Sequence, residues 1–515
     1  MALQTALMKP EAYPHAASPR LFETHISLVY LTGEYAYKVK KPRDLGFLDF
    51  SSLEKRHHYC CEELRLNRRF APKLYLDVVP IHRLSDDVFR VGGDQGEIVD
   101  YAVQMRQFPD NDVLSLRAQT GLDLAMMQRF GQRWAALQQG LPTAPGEDVD
   151  RNGIPSRWRD AMVQNFQQIR AYLRAPVDVA MLNALEDWSM RRWREQEVQL
   201  WNRYEAGWVR EGHGDLHLGN LVVVEEDVVA FDAVEFNAAF RWSDLMNEYA
   251  FLLMDCLFRQ VGDAGFAALN ASIEHSGDYA GIGLLPDFLV YRAMVRAKVA
   301  LFSGPIEVKP DEERYLNWQR HAILAESVMQ PQSPTLILMC GVSGSGKSQL
   351  AEQLVPALSA FRVRSDVERK RLFGLQPDQR ATATNAEDLY GVDASRRTFD
   401  RLAEISEIVL RAGFNLIVDA TFTLRAHRHR FREIAERMGA RCVVVYCDAE
   451  WPVLRSRVNT RFQAGRDASD ADQSVLEQQL RSLEAPLDEP AVVIVRTDQP
   501  EPLTNALAGI HQALS

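Results

Sequence analysis

The stretch Gly341-Val342-Ser343-Gly344-Ser345-Gly346-Lys347-Ser348 fits G-x-x-x-x-G-K-[ST] at every fixed position. Such a loop is built to hold phosphates. Glycines at 341, 344 and 346 let backbone N–H groups curl round an anion without Cβ clashes, and a following helix adds partial positive charge at its N-terminus. Ser343 and Ser345 complete the cradle, Lys347 would reach the β- and γ-phosphates, and the Ser348 hydroxyl would ligate Mg²⁺. Asp366 in RSDVERKR and Asp419 in LIVDATF each follow an apolar run. Carboxylates at strand ends rise to the ligand side of an open α/β sheet. Asp366 is placed to take a proton from an acceptor hydroxyl, and Asp419 to hold Mg²⁺ or its water; either would also serve as an ordinary helix N-cap. Arg457 and Arg461 are four apart and share a helix face ahead of Gly465-Arg466-Asp467. They suit a lid closing over transferring phosphates, or equally a solvated basic face.

A second constellation is His213-Gly214-Asp215-Leu216-His217-Leu218-Gly219-Asn220, followed by an apolar strand pair and Phe231-Asp232-Ala233-Val234-Glu235. Asp215 and Asn220 stand at the D-x-x-x-x-N spacing of a phosphoryl-transfer loop, in which a carboxylate accepts the acceptor's proton and an amide oxygen ligates Mg²⁺ without adding charge. Asp232 falls where a second metal-binding carboxylate belongs. His213 and His217 have the i,i+4 spacing of zinc ligands on a helix, but Gly214 and Gly219 argue for a loop and no third ligand stands nearby.

Two different element patterns must position these groups. After the proline-marked seam at 330–334, short apolar runs (335–340, 361–364, 415–419, 442–447, 492–495) alternate with helical patterns (349–358, 395–412, 426–438). That alternation predicts an α/β P-loop domain over 334–515 with a parallel sheet of about five strands. Upstream, strands at 26–31, 35–40, 76–80, 88–91 and 99–104 surround one helical segment, 53–70, before a mostly helical stretch. This order predicts an α+β bilobal, protein-kinase-like domain over 1–330, with a small lobe at 20–109 and a helical large lobe at 110–330.

HGDLHLGN followed by FDAVEF resembles the aminoglycoside-phosphotransferase-like small-molecule kinases. The resemblance implies Asp215 as catalytic base, Asn220 and Asp232 as Mg²⁺ ligands, and Asp244 in a structural role. It also implies a phosphate-pairing lysine on strand 35–40 with an acidic partner on helix 53–70. Lys38 and Lys40 share one strand face, and Glu62 and Glu63 both stand on the helix. We favour Lys38 with Glu63, leaving Lys40 and Glu62 open. Residues 104–109 resemble the inter-lobe hinge that meets adenine. Three features depart from the family pattern: Leu218 where a proline is frequent, Ala233-Val234 after the metal aspartate, and a single Gly33 in place of a glycine-rich loop. The C-terminal segment, with RSDVERKRLFG, VDATF and the Arg457/Arg461 pair, is similar to zeta-toxin-like and gluconate-kinase-like P-loop kinases. Together the two segments resemble a fusion of an aminoglycoside-phosphotransferase-like domain with an AAA-type P-loop kinase domain.

The expected activity is therefore ATP- and Mg²⁺-dependent phosphoryl transfer to a hydroxyl of a small molecule at two nucleotide sites. The competing reading is a regulatory ATPase in which one domain senses or gates. A net charge of −11 over 515 residues argues against a chain-wide grip on nucleic acid. Six cysteines without a C-x-x-C pair point to thiols in a reducing compartment. The first twenty residues carry no apolar core of signal-peptide length, and no segment is apolar for long enough to span a bilayer, so a cytoplasmic location is expected.

Overall fold

The computed structural model describes every residue except 1, 16–17, 45, 47, 378, 380–388, 390, 465–471 and 515. The chain divides into two compact units, Met1–Leu122 with Gly140–Gln167 and Trp193–Asp255, and Asp123–Gln139 with Gln168–Arg192 and Cys256–Ser515. The proline-marked seam lies between the helix Glu313–Met329 and the first strand of the parallel sheet. The division into compact units falls elsewhere, so part of the expected large lobe packs with the P-loop segment.

The first unit opens with strands β1 (Arg20–Glu23), β2 (Ser27–Leu31) and β3 (Tyr35–Lys40), then helix α1 (Leu53–Phe70), then β4 (Tyr75–Ser85), β5 (Val88–Val91) and β6 (Glu97–Arg106). These strands form one antiparallel sheet in the order β1-β2-β3-β6-β4-β5. Alternation in YAYKVK puts Tyr37 and Val39 into one apolar cluster with Tyr30, Ile81 and Ala102. Lys38 and Lys40 are left on the opposite face, toward α1. Ser52 caps α1 by accepting the Lys55 N–H at 3.2 Å, and Arg68 and Arg69 occupy its last turn, where the helix dipole favours cations. Beyond the sheet come β7 (Val209–Glu211), the hairpin β8 (Leu221–Val224) and β9 (Asp227–Ala230), and β10 (Trp242–Asp244), which pairs with β7. Helix α2 (Leu245–Phe258) follows. An antiparallel sheet with one helix, succeeded by a helical lobe carrying two short strand pairs, is the α+β kinase-like arrangement expected from the sequence.

The second unit contains helix α3 (Gly262–Ser276), further helices at Leu285–Phe302 and Glu313–Met329, and the P-loop segment. In that segment β11 (Thr335–Cys340), α4 (Lys347–Ala357), β12 (Ala360–Arg364), α5 (Ser365–Leu372), α6 (Val392–Arg411), β13 (Asn415–Asp419), α7 (Arg425–Arg437), β14 (Arg441–Asp448), α8 (Trp451–Ala464), α9 (Gln473–Ser482), β15 (Val492–Arg496) and α10 (Pro502–Leu514) succeed one another. The five strands are all parallel, in the order β12-β13-β11-β14-β15. All six residues of β11 are buried, as a central strand covered on both faces requires. Ile337, Met339, Ile417, Val443 and Val445 pack there against Leu350 and Leu354 of α4 and Ile510 of α10. β12 is an edge strand, and α3 covers it. Asn270 donates its amide to the Ala360 carbonyl at 2.9 Å and accepts the Arg362 N–H at 2.7 Å, standing in for a neighbouring strand.

Candidate functional sites

In the first unit β3 delivers Lys38 to the Glu63 carboxylate, Nζ to Oε1 at 2.8 Å, and to Asp232 Oδ1. Lys40 reaches the other oxygen of Glu63, Oε2, at 2.7 Å and also pairs with Glu235. Glu63 thus takes both lysines, whereas Glu62 turns to Arg65 at 2.8 Å and toward Arg241 at 3.5 Å. Burial by itself would push the Glu63 carboxyl up; Lys38 and Lys40 outweigh it and hold the group at about 2. Burial would likewise depress Lys38, yet Asp232 and Glu63 raise it, so the ammonium stays charged.

The 213–220 segment is a loop anchored to buried carboxylates. Glu248 of α2 accepts the N–H of Gly214 at 2.9 Å, and Asp255 accepts that of Leu218 at 3.0 Å. Gly214 has φ +81°, and a Cβ there would lie 2.9 Å from the Phe240 carbonyl oxygen, so only glycine fits without strain. The loop presents Asp215, whose Oδ2 accepts the Asn220 amide at 2.9 Å. His217 Nδ1 accepts the Gly219 N–H at 3.0 Å, which leaves Nε2 to carry the hydrogen facing Asp215 Oδ2 at 3.4 Å. His213 is wholly buried, contacting the Phe231 carbonyl through Nε2 at 2.9 Å and accepting the Asp215 N–H at Nδ1 at 3.3 Å.

The Asn220 carbonyl accepts the Phe231 N–H at 2.9 Å, which ties the loop to Asp232 next along the chain. Asp232 has φ +63°, unusual outside glycine, and its N–H is held by the Tyr75 hydroxyl at 3.0 Å. The Ala233 N–H is held by Asn67 at 2.9 Å. Asp244, further on, forms a buried two-pronged pair with Arg203 at 2.6 and 2.8 Å. At the end of β6, Gln107 accepts the Gly33 N–H at 2.9 Å, and Phe108 stacks edge-on against Phe231.

In the second unit the loop between β11 and α4 closes tightly. Gly341 has φ +137°, and a Cβ there would stand 2.4 Å from the Cys447 carbonyl oxygen, so a side chain is excluded. Gly344 and Gly346 also have positive φ. Lys347 is buried and donates to the Val342 carbonyl at 2.8 Å; burial lowers its pKa against the pull of Asp419. The Ser343 N–H is held by Gln479 of α9 at 2.7 Å.

Ser348 donates to Asp419 Oδ1 at 3.2 Å. Asp419 Oδ2 is buried with no hydrogen-bond partner, the nearest cation being Arg364 Nε at 3.9 Å. A buried carboxylate oxygen that accepts no hydrogen bond is costly unless something binds it, and two hard oxygen donors suit Mg²⁺. Asp366, near the start of α5, pairs with Arg369 at 3.5 Å.

The two arginines of α8 behave differently. Arg457 is engaged by the Thr497 hydroxyl at 2.9 Å, the Thr497 carbonyl at 3.0 Å and the Gly344 carbonyl at 3.3 Å, bracing the phosphate loop. Arg461 keeps Nε and Nη2 buried without a hydrogen-bond partner. Gly465-Arg466-Asp467 lie outside the described residues.

Sequence reasoning missed Thr497, which also donates to the Ser345 carbonyl at 2.9 Å. Its position just beyond the fifth strand was the available signal. It also missed Gln479, Tyr75 and Glu248, which no spacing announces.

The C-terminal segment is a P-loop domain: residues 336–486 match the family model described as an AAA domain. Over 455 residues the chain is 28% identical to proteins of Mycobacterium tuberculosis and Mycobacterium bovis named as uncharacterised, covering 87% of this chain and 87% of each relative. Among solved structures, a gluconokinase from Sinorhizobium meliloti is similar over 35% of this chain and 94% of its own, at 25% identity and a TM-score of 0.26. An aminoglycoside phosphotransferase solved with GDP and kanamycin is similar over 64% of this chain and 99% of its own, at 14% identity and a TM-score of 0.41. No helix among the described residues is long and apolar enough to cross a membrane.

Proposed function

We propose that the chain is an ATP-dependent phosphotransferase with two nucleotide sites, each passing the γ-phosphoryl group to a hydroxyl of a small molecule. The observation that carries this reading is the linkage of Asp215, Asn220, Asp232, Lys38 and Glu63 through direct and single-residue contacts. A domain that only bound nucleotide would have no use for a base held next to a metal-binding amide.

In the first site Lys38, fixed by Glu63, neutralises phosphate charge. Asp215 accepts the acceptor's proton as its oxygen attacks the γ-phosphorus, the bond to the β-phosphate oxygen breaks, and ADP leaves. His217 and Asn220 hold the Asp215 carboxylate in its orientation. Asn220 and Asp232 would hold Mg²⁺ there, and Ser348 and Asp419 in the second site, where the ion supplies charge neutralisation of the triphosphate. In the second site the loop of Gly341, Ser343, Gly344, Ser345 and Gly346 cradles phosphates, and Lys347 pairs with them. Arg461 supplies the free guanidinium over the transferring group, while Arg457 keeps the loop rigid. Asp366 is the base, relieved of Arg369 when an acceptor enters.

The test is ADP release from the full chain across sugars, aminoglycosides and amino alcohols, with Asp215→Asn, Lys347→Ala and both together. Each single substitution should silence one acceptor's turnover. Turnover surviving the double substitution would sink the assignment. ATP hydrolysis with no acceptor dependence in either single variant would favour the regulatory ATPase instead.

A further inference from the structure

Within the second unit, helix α3 does more than cover an edge strand. Glu274, near its C-terminal end, grips both arginines of β12: Oε2 accepts from Arg362 Nη2 at 3.0 Å, and Oε1 accepts from Arg364 Nη1 at 3.0 Å. The alternation of a strand puts residues 362 and 364 on one face, so one carboxylate can hold both. Each arginine then leads to a different residue of the Ser348–Asp419 pair. Arg362 Nη1 donates to the Ser348 carbonyl at 3.3 Å, and Arg364 Nε faces Asp419 Oδ2 at 3.9 Å. The Glu274 side chain is 22% exposed and the two arginine side chains 14% and 18%, so the cluster is only weakly screened by water. Arg371 fastens the same turn of α3 by donating to the Glu274 carbonyl at 2.5 Å.

We propose that Glu274 is a positioning residue of the C-terminal nucleotide site, setting its Mg²⁺ requirement by holding Arg364 back from Asp419. The inference rests on the reading of Ser348 and Asp419 as the metal-binding pair. The reason is electrostatic. Arg364 stands close to a carboxylate oxygen that has no hydrogen bond, and Glu274 draws its terminal nitrogen Nη1 the other way. With a neutral side chain at 274 the guanidinium closes on Asp419 and competes with a divalent cation for the same oxygen. Glu274 therefore acts from 145 residues upstream of the carboxylate it protects, in sequence that precedes the phosphate loop altogether.

The test is calorimetric titration of ATP binding at varied Mg²⁺, using the full chain in an Asp232→Asn background so that the C-terminal site is read. Glu274→Gln should raise the Mg²⁺ needed for half-saturation by roughly fivefold or more. Adding Arg364→Gln to it should restore the parent's requirement, which a purely structural role for Glu274 would not produce. Arg364→Gln alone should lower the requirement about twofold, and it carries the test if Glu274→Gln does not fold. Asn270→Ala should lower the melting temperature without moving the requirement, since the Asn270 amide bonds to β12 and α3 backbone and not to the arginine side chains. The proposal is overturned by an unchanged Mg²⁺ requirement in folded Glu274→Gln, by failure of the double variant to restore it, or by no decrease in Arg364→Gln. A parent chain that binds ATP in that background with no Mg²⁺ dependence overturns the metal-site reading itself, and this proposal with it.

Discussion

Lys38 Nζ is shared between Glu63 and Asp232, so one ammonium holds the helix α1 carboxylate and the carboxylate proposed for Mg²⁺ at the same time. Loading a metal–nucleotide must part Lys38 from Asp232 while leaving it on Glu63. Lys38→Met should lower N-terminal turnover by about two orders of magnitude or more with far-UV circular dichroism unchanged. Lys40→Met should act on stability instead. Lys40 is fully buried between Glu63 and Glu235, and stranding those charges should cost about 3–5 kcal/mol in denaturant unfolding. Equal loss of turnover from the two variants at matched stability would contradict the division of roles.

Asp215→Asn should reduce the N-terminal rate by about 10²- to 10⁴-fold with little change in ATP affinity, measured in a Lys347→Ala background. His217→Phe, which removes the hydrogen facing Asp215 Oδ2, should give a smaller loss confined to the turnover number. A matching rise in the Michaelis constant for ATP would instead place His217 in nucleotide binding.

Arg457 and Arg461 share a helix face but should separate in kinetics. Arg461→Ala should lower the C-terminal turnover number by about tenfold or more if its guanidinium, whose Nε and Nη2 carry no hydrogen bond, serves the transferring phosphate as proposed. Arg457→Ala should weaken ATP binding and lower the melting temperature, because it releases Thr497 and the Gly344 carbonyl. The opposite pattern would exchange the two roles.

Acid should loosen the 213–220 loop through His213. Burial lowers its pKa from 6.5 to about 4, with only partial recovery from Asp215 and the Phe231 carbonyl. The folded state therefore disfavours the charged ring. The stability this gives is fully present above pH 6.5 and is lost as the pH falls toward 4. Protonating Nδ1 would also set a hydrogen against the Asp215 N–H. Stability measured by urea unfolding should fall less steeply between pH 6.5 and 4 in His213→Gln than in the parent. Identical slopes would refute the assignment.

Much of this was readable from residues alone, and what was not has definite causes. The phosphate loop is legible because its constraints are local: glycines at fixed offsets, a lysine and a serine, with a strand before and a helix after. The same holds for Asp419, which ends a strand whose face and direction the apolar pattern fixes. Glu63 is favoured in the sequence but Glu62 stays open, because adjacent helix residues point about 100° apart and the packing of α1 on the sheet decides which one turns inward. Lys38 and Lys40 stayed alternatives for a different reason: both reach Glu63. Arg457 and Arg461 share the helix spacing of one face, which cannot tell that a carbonyl of the phosphate loop claims the first. Glu274 was invisible because its meaning lies entirely in tertiary contact with β12. The proline-marked seam lies between two elements, yet the compact units do not divide there, since α3 upstream packs on β12 downstream.

The two hydrogen bonds between Asn270 and β12 bear on how the molecule can be handled. A fragment starting at the seam would leave the Ala360 carbonyl and Arg362 N–H unpaired beside Phe361, a ready template for strand addition by another molecule. Such a fragment should self-associate, and carrying the chain back through residue 262 should keep it monodisperse. The upstream helix is thus an intramolecular chaperone for the edge, and any shuffling of these domains that separates the two would trade solubility for modularity.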